Sequence, residues 1–369
     1  MPSAGVTKHS TTMADGRELI YFDDADTRLG PERAADLRQL EPRPETPVMR
    51  QDPLTGEWIS IAEARQNRVF LPPSDQDPLA PATPSNPSEI PDNYDVVVFE
   101  NRSPSFGPEM SGGYTDDQLA AIGVGRSLPA IGRCEVVCFS PESFGSFAGL
   151  TESRARTVIE AWADRTATLS ALPGVREVFP FENRGEAIGV TLHHPHGQIY
   201  SYPYITPRTQ RLLDSIERFD GDLFASILEL ESASDRVVLR GEHWIAFVPY
   251  AARWPIEVHM LPLRHVPDFA ATSDEERDEL ATLYLRLLRG IDALYPSPTP
   301  YIAAWHQAPT DVGRDTVRLM LQLTSPRRSD DKLKYLAGSE SAMGAWIGDV
   351  VPEMAAAAIR HAIAQTSAS

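Results

Sequence analysis

The chain has 369 residues, 42% of them apolar, and a formal net charge of -18. That length predicts two domains or one large one around a substantial core. The charge, with no basic stripe carrying interleaved aromatics, excludes nucleic acid as an expected partner, because the overall field repels a polyanion. A small anionic substrate must then be held by a few local arginines or lysines. No run of about 18 apolar residues occurs, so no membrane-spanning helix and no membrane partner are expected. The opening stretch "MPSAGVTKHSTTMADGREL" lacks the apolar segment of a secretory signal. Only two cysteines occur, and in "CEVVCF" strand alternation puts Cys134 and Cys138 on one face, which suits small buried residues better than a disulfide. The expected compartment is the cytoplasm.

In chain order, residues 1–45 are polar and proline-rich, which predicts a loosely attached arm. Seven prolines between Pro72 and Pro91 predict a loop that cannot be a helix or a central strand. Strand-like runs follow at "DVVVFE" (95–100), "CEVVCFS" (134–140), "REVFPFE" (176–182) and through "GQIYSYP". Between the second and third, Thr151 reads as the N-cap of a helix whose apolar positions are Val158, Ile159, Trp162 and Leu169. The second half repeats this order. "RVVLRGEHWIAFVPY" and "IEVHMLPL" read as strands, Ser273 and Glu276 form a capping box before a helix, and "PYIAAWHQ" and "TVRLMLQLTS" read as strands again. The order of elements points to an internal duplication, with halves 46–205 and 206–369. Mostly antiparallel strands with helices on one face predict an α+β fold.

Three of nine histidines fall within four positions of "TLHHPHGQIY" (191–200). On a strand His194, His196 and Gln198 share one side, with Pro195 and Gly197 on the other. Pro195 cannot donate to a ladder, so the segment is a strand entry or an edge. Gly197 leaves room for backbone or substrate. Three readings stand: a packed histidine pair, a metal site that would need further ligands, or covalent catalysis. A neutral imidazole attacks phosphorus well when its other N–H is tied to an acceptor, and a carbonyl of the His-Pro segment can supply that tie. The Gln198 amide can then donate to phosphoryl oxygens. The echoing strand carries Met320 and Gln322 instead, so this chemistry occurs in the first half alone.

"FENRGEAIGVTLHHPHGQIY" (181–200) resembles the galactose-1-phosphate uridylyltransferase family, a branch of the histidine-triad superfamily, in its actinobacterial-type members. Blocks at 52–70, 94–102, 132–142, 241–262, 301–309 and 332–344 look like family blocks in family order. The resemblance implies a duplicated histidine-triad-like fold and a two-step reaction. UDP-glucose uridylylates a histidine, and a hexose 1-phosphate then takes the group. It implies His196 as nucleophile and Gln198 as phosphoryl donor, with His194 completing the catalytic set. Uridine contacts fall on Asn101 and Asn183, phosphate contacts on Gly189 and Thr191 with the basic pair Arg65 and Arg68, and Arg102 counts among the substrate-binding residues. Lys334, Tyr335 and Glu340 match a block that holds the sugar across a homodimer interface.

Family metals are not expected. At the family's zinc ligands stand Asp77, Ala80 and Ser143, and His194 alone survives. At the second metal site His306 remains, but a His-x-His pair has become Met320 and Gln322. Ser103 replaces an aromatic near the base, and His193 stands beside the site where a small or polar residue is usual. These departures leave two alternatives: a divergent nucleotidyltransferase or phosphorylase using another nucleotide or sugar phosphate, and a non-catalytic nucleotide-sugar-binding paralogue.

Overall fold

A computed structural model describes residues 5–63, 72–108 and 120–366. Its centre is an eleven-stranded antiparallel sheet. In chain order the strands in that sheet are β1 (Thr7–Thr12), β2 (Glu18–Asp23), β5 (Val96–Glu100), β7 (Arg133–Cys138), β8 (Glu177–Arg184), β9 (His196–Tyr202), β10 (Val237–Arg240), β11 (Trp244–Phe247), β12 (Ile256–Pro262), β13 (Tyr301–His306) and β14 (Met320–Ser325). The remaining three, β3 (Val48–Gln51), β4 (Trp58–Ile61) and β6 (Arg126–Pro129), form a small separate sheet.

Across the large sheet the order is β1-β2-β5-β7-β9-β8-β13-β14-β12-β11-β10. Leaving aside β1, this order is a palindrome about the β8–β13 pair: β8 answers β13, β9 answers β14, β7 answers β12 and β5 answers β11. The duplication expected from the sequence is thus a property of the sheet. The halves join where Phe181 and Arg184 of β8 face Ala304 and Tyr301 of β13.

The two longest helices cover one face, and the helical residues Phe224 and Leu228 pack on the other against Ile245, Phe247 and Leu261. α1 (Glu152–Ser170) starts at Thr151, whose side chain accepts from the Arg154 N–H, and buries Val158, Ile159, Trp162 and Leu169. α4 (Asp274–Asp292) starts at the Ser273–Glu276 capping box and buries Leu280, Leu283, Leu287 and Ile291. Both pack into one core cluster with Val137, Ile199, Val258 and Leu323 of the sheet. The other helices are α2 (Pro207–Arg218), α3 (Leu223–Ser232), α5 (Gly338–Met343) and α6 (Pro352–Thr366). α6 crosses α4 closely: a Cβ on Gly290 would lie 2.2 Å from Ile363 Cγ1. Among the described residues no helix is long and apolar enough to cross a membrane.

One expectation fails. Residues 7–23 are not part of a loose arm: β2 pairs with β5, and Leu19, Ile20, Tyr21 and Phe22 are all buried. The polar average of the region hides one four-residue apolar run, and that run is enough to make a strand. Cys134 and Cys138 are buried and are not joined in a disulfide, as their spacing on β7 implies.

Candidate active site

β9 enters the sheet at His196, between β7 and β8. Its residues alternate: Gly197, Ile199 and Ser201 are buried, while His196, Gln198, Tyr200 and Tyr202 are half-buried on the face without the main helices. Gly197 is needed for packing and not for a ligand, since a Cβ there would lie 2.8 Å from the Phe139 ring and 2.9 Å from the Phe181 carbonyl oxygen.

The His196 Nδ1 lies 2.7 Å from the His194 carbonyl oxygen. A carbonyl can only accept, so Nδ1 carries the proton in this bond, and in the neutral ring Nε2 is then the nucleophilic nitrogen. His196 lines a cavity of about 180 Å³ together with Pro78, Leu79, Asn101, Val136, Thr191, Leu192 and Gln198. The Gln198 side-chain oxygen is buried with no hydrogen-bond partner among the described residues. Such an atom carries a desolvation cost until a ligand or water meets it.

The cavity brings together four predicted residues: Asn101, Thr191, His196 and Gln198. The Asn101 side-chain oxygen is occupied by the Ser103 N–H, which leaves its amide NH₂ as the free end for recognition. Arg102 donates to the Glu41 carbonyl. Asn183 is exposed at the end of β8, two residues past Phe181, which pairs with Gln198; that places it at the level of His196. Gly189 ends a short turn over Glu186–Ile188 with φ of 83°, a left-handed conformation that favours glycine. Arg65 and Arg68 lie outside the described residues.

The late block sits beside that turn in the same chain. Lys334, Tyr335 and Leu336 line a second cavity of about 150 Å³ with Ala187 and Ile188. Lys334 is 3% exposed, donates to the carbonyls of Arg253 and Ile347, and stands 3.6 Å from Glu340. Glu340 caps α5. Tyr335, 76% exposed, projects away. Lys334 and Glu340 therefore brace the block, and Tyr335 is its outward-facing member.

His194 is fully enclosed. Its Nδ1 donates to the Asp77 carboxylate at 2.7 Å, and its Nε2 lies 2.8 Å from the Ser140 carbonyl and 2.9 Å from the Tyr94 hydroxyl. Burial alone would raise the Asp77 carboxyl, but bonding and charge from His194, with Ser143 and the Leu79 N–H, hold it below its ordinary value. Tyr94, 100 residues away, was not recoverable as a partner of this histidine from sequence, whereas Asp77, 117 residues away, was brought to it by the family resemblance alone.

Two family models match the chain. One, for the N-terminal domain of galactose-1-phosphate uridyl transferase, covers residues 38–206; the other, for its C-terminal domain, covers 208–366. The chain belongs to the galactose-1-phosphate uridylyltransferase family. The galactose-1-phosphate uridylyltransferase of Streptomyces lividans is 44% identical over 96% of this chain and 97% of its own length. That of Thermotoga maritima is 33% identical over 85% and 98%. A solved uridylyltransferase structure superposes with a TM-score of 0.76 at 30% identity, over 86% of this chain and 99% of that one. The protein is an enzyme, a nucleotidyltransferase of the hexose-1-phosphate uridylyltransferase type.

At the positions where the resemblance would put metals, the side chains bond to one another. Two tetrahedral zinc ligands at about 2.0–2.1 Å would stand roughly 3.3 Å apart, whereas the Asp77 and His194 atoms meet at 2.7 Å, a hydrogen bond. At the second position His306 bonds to Gln322, which donates to Glu257 at 2.6 Å. Burial, with the nearby Arg208 charge, holds the His306 imidazole well below its usual range, so it stays neutral. Burial would raise the Glu257 carboxyl, but His259, the Arg253 N–H and Gln322 bring it down to about 2. His259 and Glu257, in the run "IEVHMLPL", belong to this cluster although their strand pattern gave no sign of it. Among the described residues no group of three or more metal-binding side chains converges.

Proposed function

We propose that this enzyme moves a uridylyl group from UDP-glucose to galactose 1-phosphate, or a close hexose 1-phosphate, through a covalent uridylyl-His196 intermediate. The observation that carries the reading is the Nδ1–H tie to the His194 carbonyl, on a ring that lines the Asn101–Thr191–Gln198 cavity. In the first step Nε2 attacks the α-phosphorus and the bond to the bridging oxygen breaks. Glucose 1-phosphate leaves with that electron pair, while the Nδ1 proton stays on the ring. In the second step a phosphate oxygen of galactose 1-phosphate attacks the same phosphorus, and the imidazole departs neutral. Gln198 donates to the phosphoryl oxygens, Asn101 and Asn183 to uridine, and Gly189 and Thr191 to phosphate. His196→Ala is expected to abolish transfer in an assay pairing labelled nucleotide sugars with hexose 1-phosphates and inorganic phosphate. Retained transfer overturns the reading, and a preference for inorganic phosphate makes the enzyme a phosphorylase.

We also propose that no metal is needed, which the Asp77–His194 and Gln322–Glu257 hydrogen bonds support. Elemental analysis should find clearly substoichiometric zinc and iron, with activity unaffected by chelators. A full equivalent of tightly bound zinc contradicts this.

A homodimer with shared sites completes the proposal. Tyr335, Leu336, Met343, Trp346, Ile347, Val351 and Met354 are exposed apolar residues within twenty positions of one another, more than an unpartnered surface ordinarily shows in one place.

A further inference from the structure

The chemistry above uses the His194 carbonyl but not its ring, and the ring is the best-held polar side chain near the site. Its exposure is 0%. Asp77 Oδ2 accepts from Nδ1, while Asp77 Oδ1 accepts from the Leu79 N–H at 2.9 Å. Asn86 donates to the Asp77 carbonyl at 2.8 Å. On the other side of the ring, the Tyr94 hydroxyl reaches His194 Nε2 and donates to the Leu79 carbonyl at 2.7 Å. The Pro195 carbonyl accepts from the Phe139 N–H. The backbone from 194 to 196 is thus fastened at the ring and at the proline. The one group it presents toward the nucleophile is the His194 carbonyl, 2.7 Å from His196 Nδ1. A peptide carbonyl cannot turn without turning its residue, and this residue cannot turn while its ring is held at both nitrogens.

We propose that Asp77 is a positioning residue for the nucleophile: through the His194 ring, its carboxylate fixes the carbonyl that sets the tautomer and direction of His196. Tyr94 is the second holder. The proposal rests on His196 being the nucleophile. Without Asp77, Nδ1 has no partner whether or not it keeps its proton, so the ring is held from the Nε2 side alone and the carbonyl is no longer fixed. The loss then falls on the rate of attack and not on substrate affinity, because Asp77 does not line the cavity around His196.

The test is single-turnover labelling of His196 by UDP-glucose, followed by rapid quench. Asp77→Ala should slow labelling about 10–100-fold, by analogy with the loss seen when the hydrogen-bond partner of a metal-ligating histidine is removed, with the UDP-glucose KM within about two-fold of wild type. Asp77→Asn keeps one oxygen for Nδ1–H but loses the Leu79 bond, so it should fall between the two. It also serves if Asp77→Ala does not fold. In protein carrying ¹⁵N-histidine, the His196 Nδ1–H resonance should be sheltered from exchange in wild type and lost to exchange in Asp77→Ala. A variant that folds by circular dichroism, labels at the wild-type rate and keeps that resonance overturns the proposal. So does a loss of labelling that only tracks the unfolded fraction. A wild-type enzyme that takes no label on His196 refutes the nucleophile itself, a distinct result.

Discussion

Glu182 shows how one residue reports on the core behind the site. It lies on β8 between Phe181 and Asn183, but its side chain turns into the helix-covered face. There Tyr301 donates to its carboxyl at 3.1 Å. Burial pushes the carboxyl up to about 8, against the weaker pull of Tyr301 and Arg184. Below pH 4.5 both folded and unfolded chains hold the proton. Between 4.5 and 8 only the folded chain does, so stability falls as pH rises, by about 1.4 kcal/mol per unit at most. Above 8 the difference stops growing. Glu182→Gln removes this dependence. Urea midpoints from pH 5 to 8 should converge on, then cross or narrow toward, a mutant line flatter than wild type; parallel lines would show that Glu182 ionises normally. Gly197 teaches a related lesson, since its small size serves the Phe139 contact and leaves ligand access to the opposite face.

Much at the element scale was legible. The caps at Thr151 and Ser273 are local signals and appear as read, and so do the paired strands of both halves. The His196–His194 contact was legible because it spans two residues. What was hidden depends on distance or averaging. Tyr94 reaches His194 from a separate segment, and α2, α3 and α6 lie outside the repeated strand–helix pattern. β1 and β2 lie in a stretch whose polarity masks "LIYF". Phe22, in β2, is 0% exposed and packs in the main core. Phe22→Ala should therefore cost about 3–5 kcal/mol, measured as a lower urea midpoint at unchanged slope. A change near zero would restore the loose-arm reading.

At the scale of the whole molecule, a palindromic sheet carries its chemistry in one half and its bracing block, Lys334 to Met343, in the other. If the sites are shared in a C2 dimer, mixing His196→Ala with Tyr335→Ala chains gives heterodimers in which one site has both defects and the other neither. Co-refolding equal amounts should then recover about a quarter of wild-type activity, half of the dimers with half of their sites. No recovery, with heterodimers present by mass, means each chain holds its own complete site. The central claim is the bond to His196, and intact-mass spectrometry after incubation with UDP-glucose addresses it most directly. The account predicts one uridylyl group per chain, mapping by peptide analysis to His196, absent from His196→Ala and discharged by galactose 1-phosphate. A label mapping outside residues 191–200, or transfer with no covalent species at any time, would contradict it.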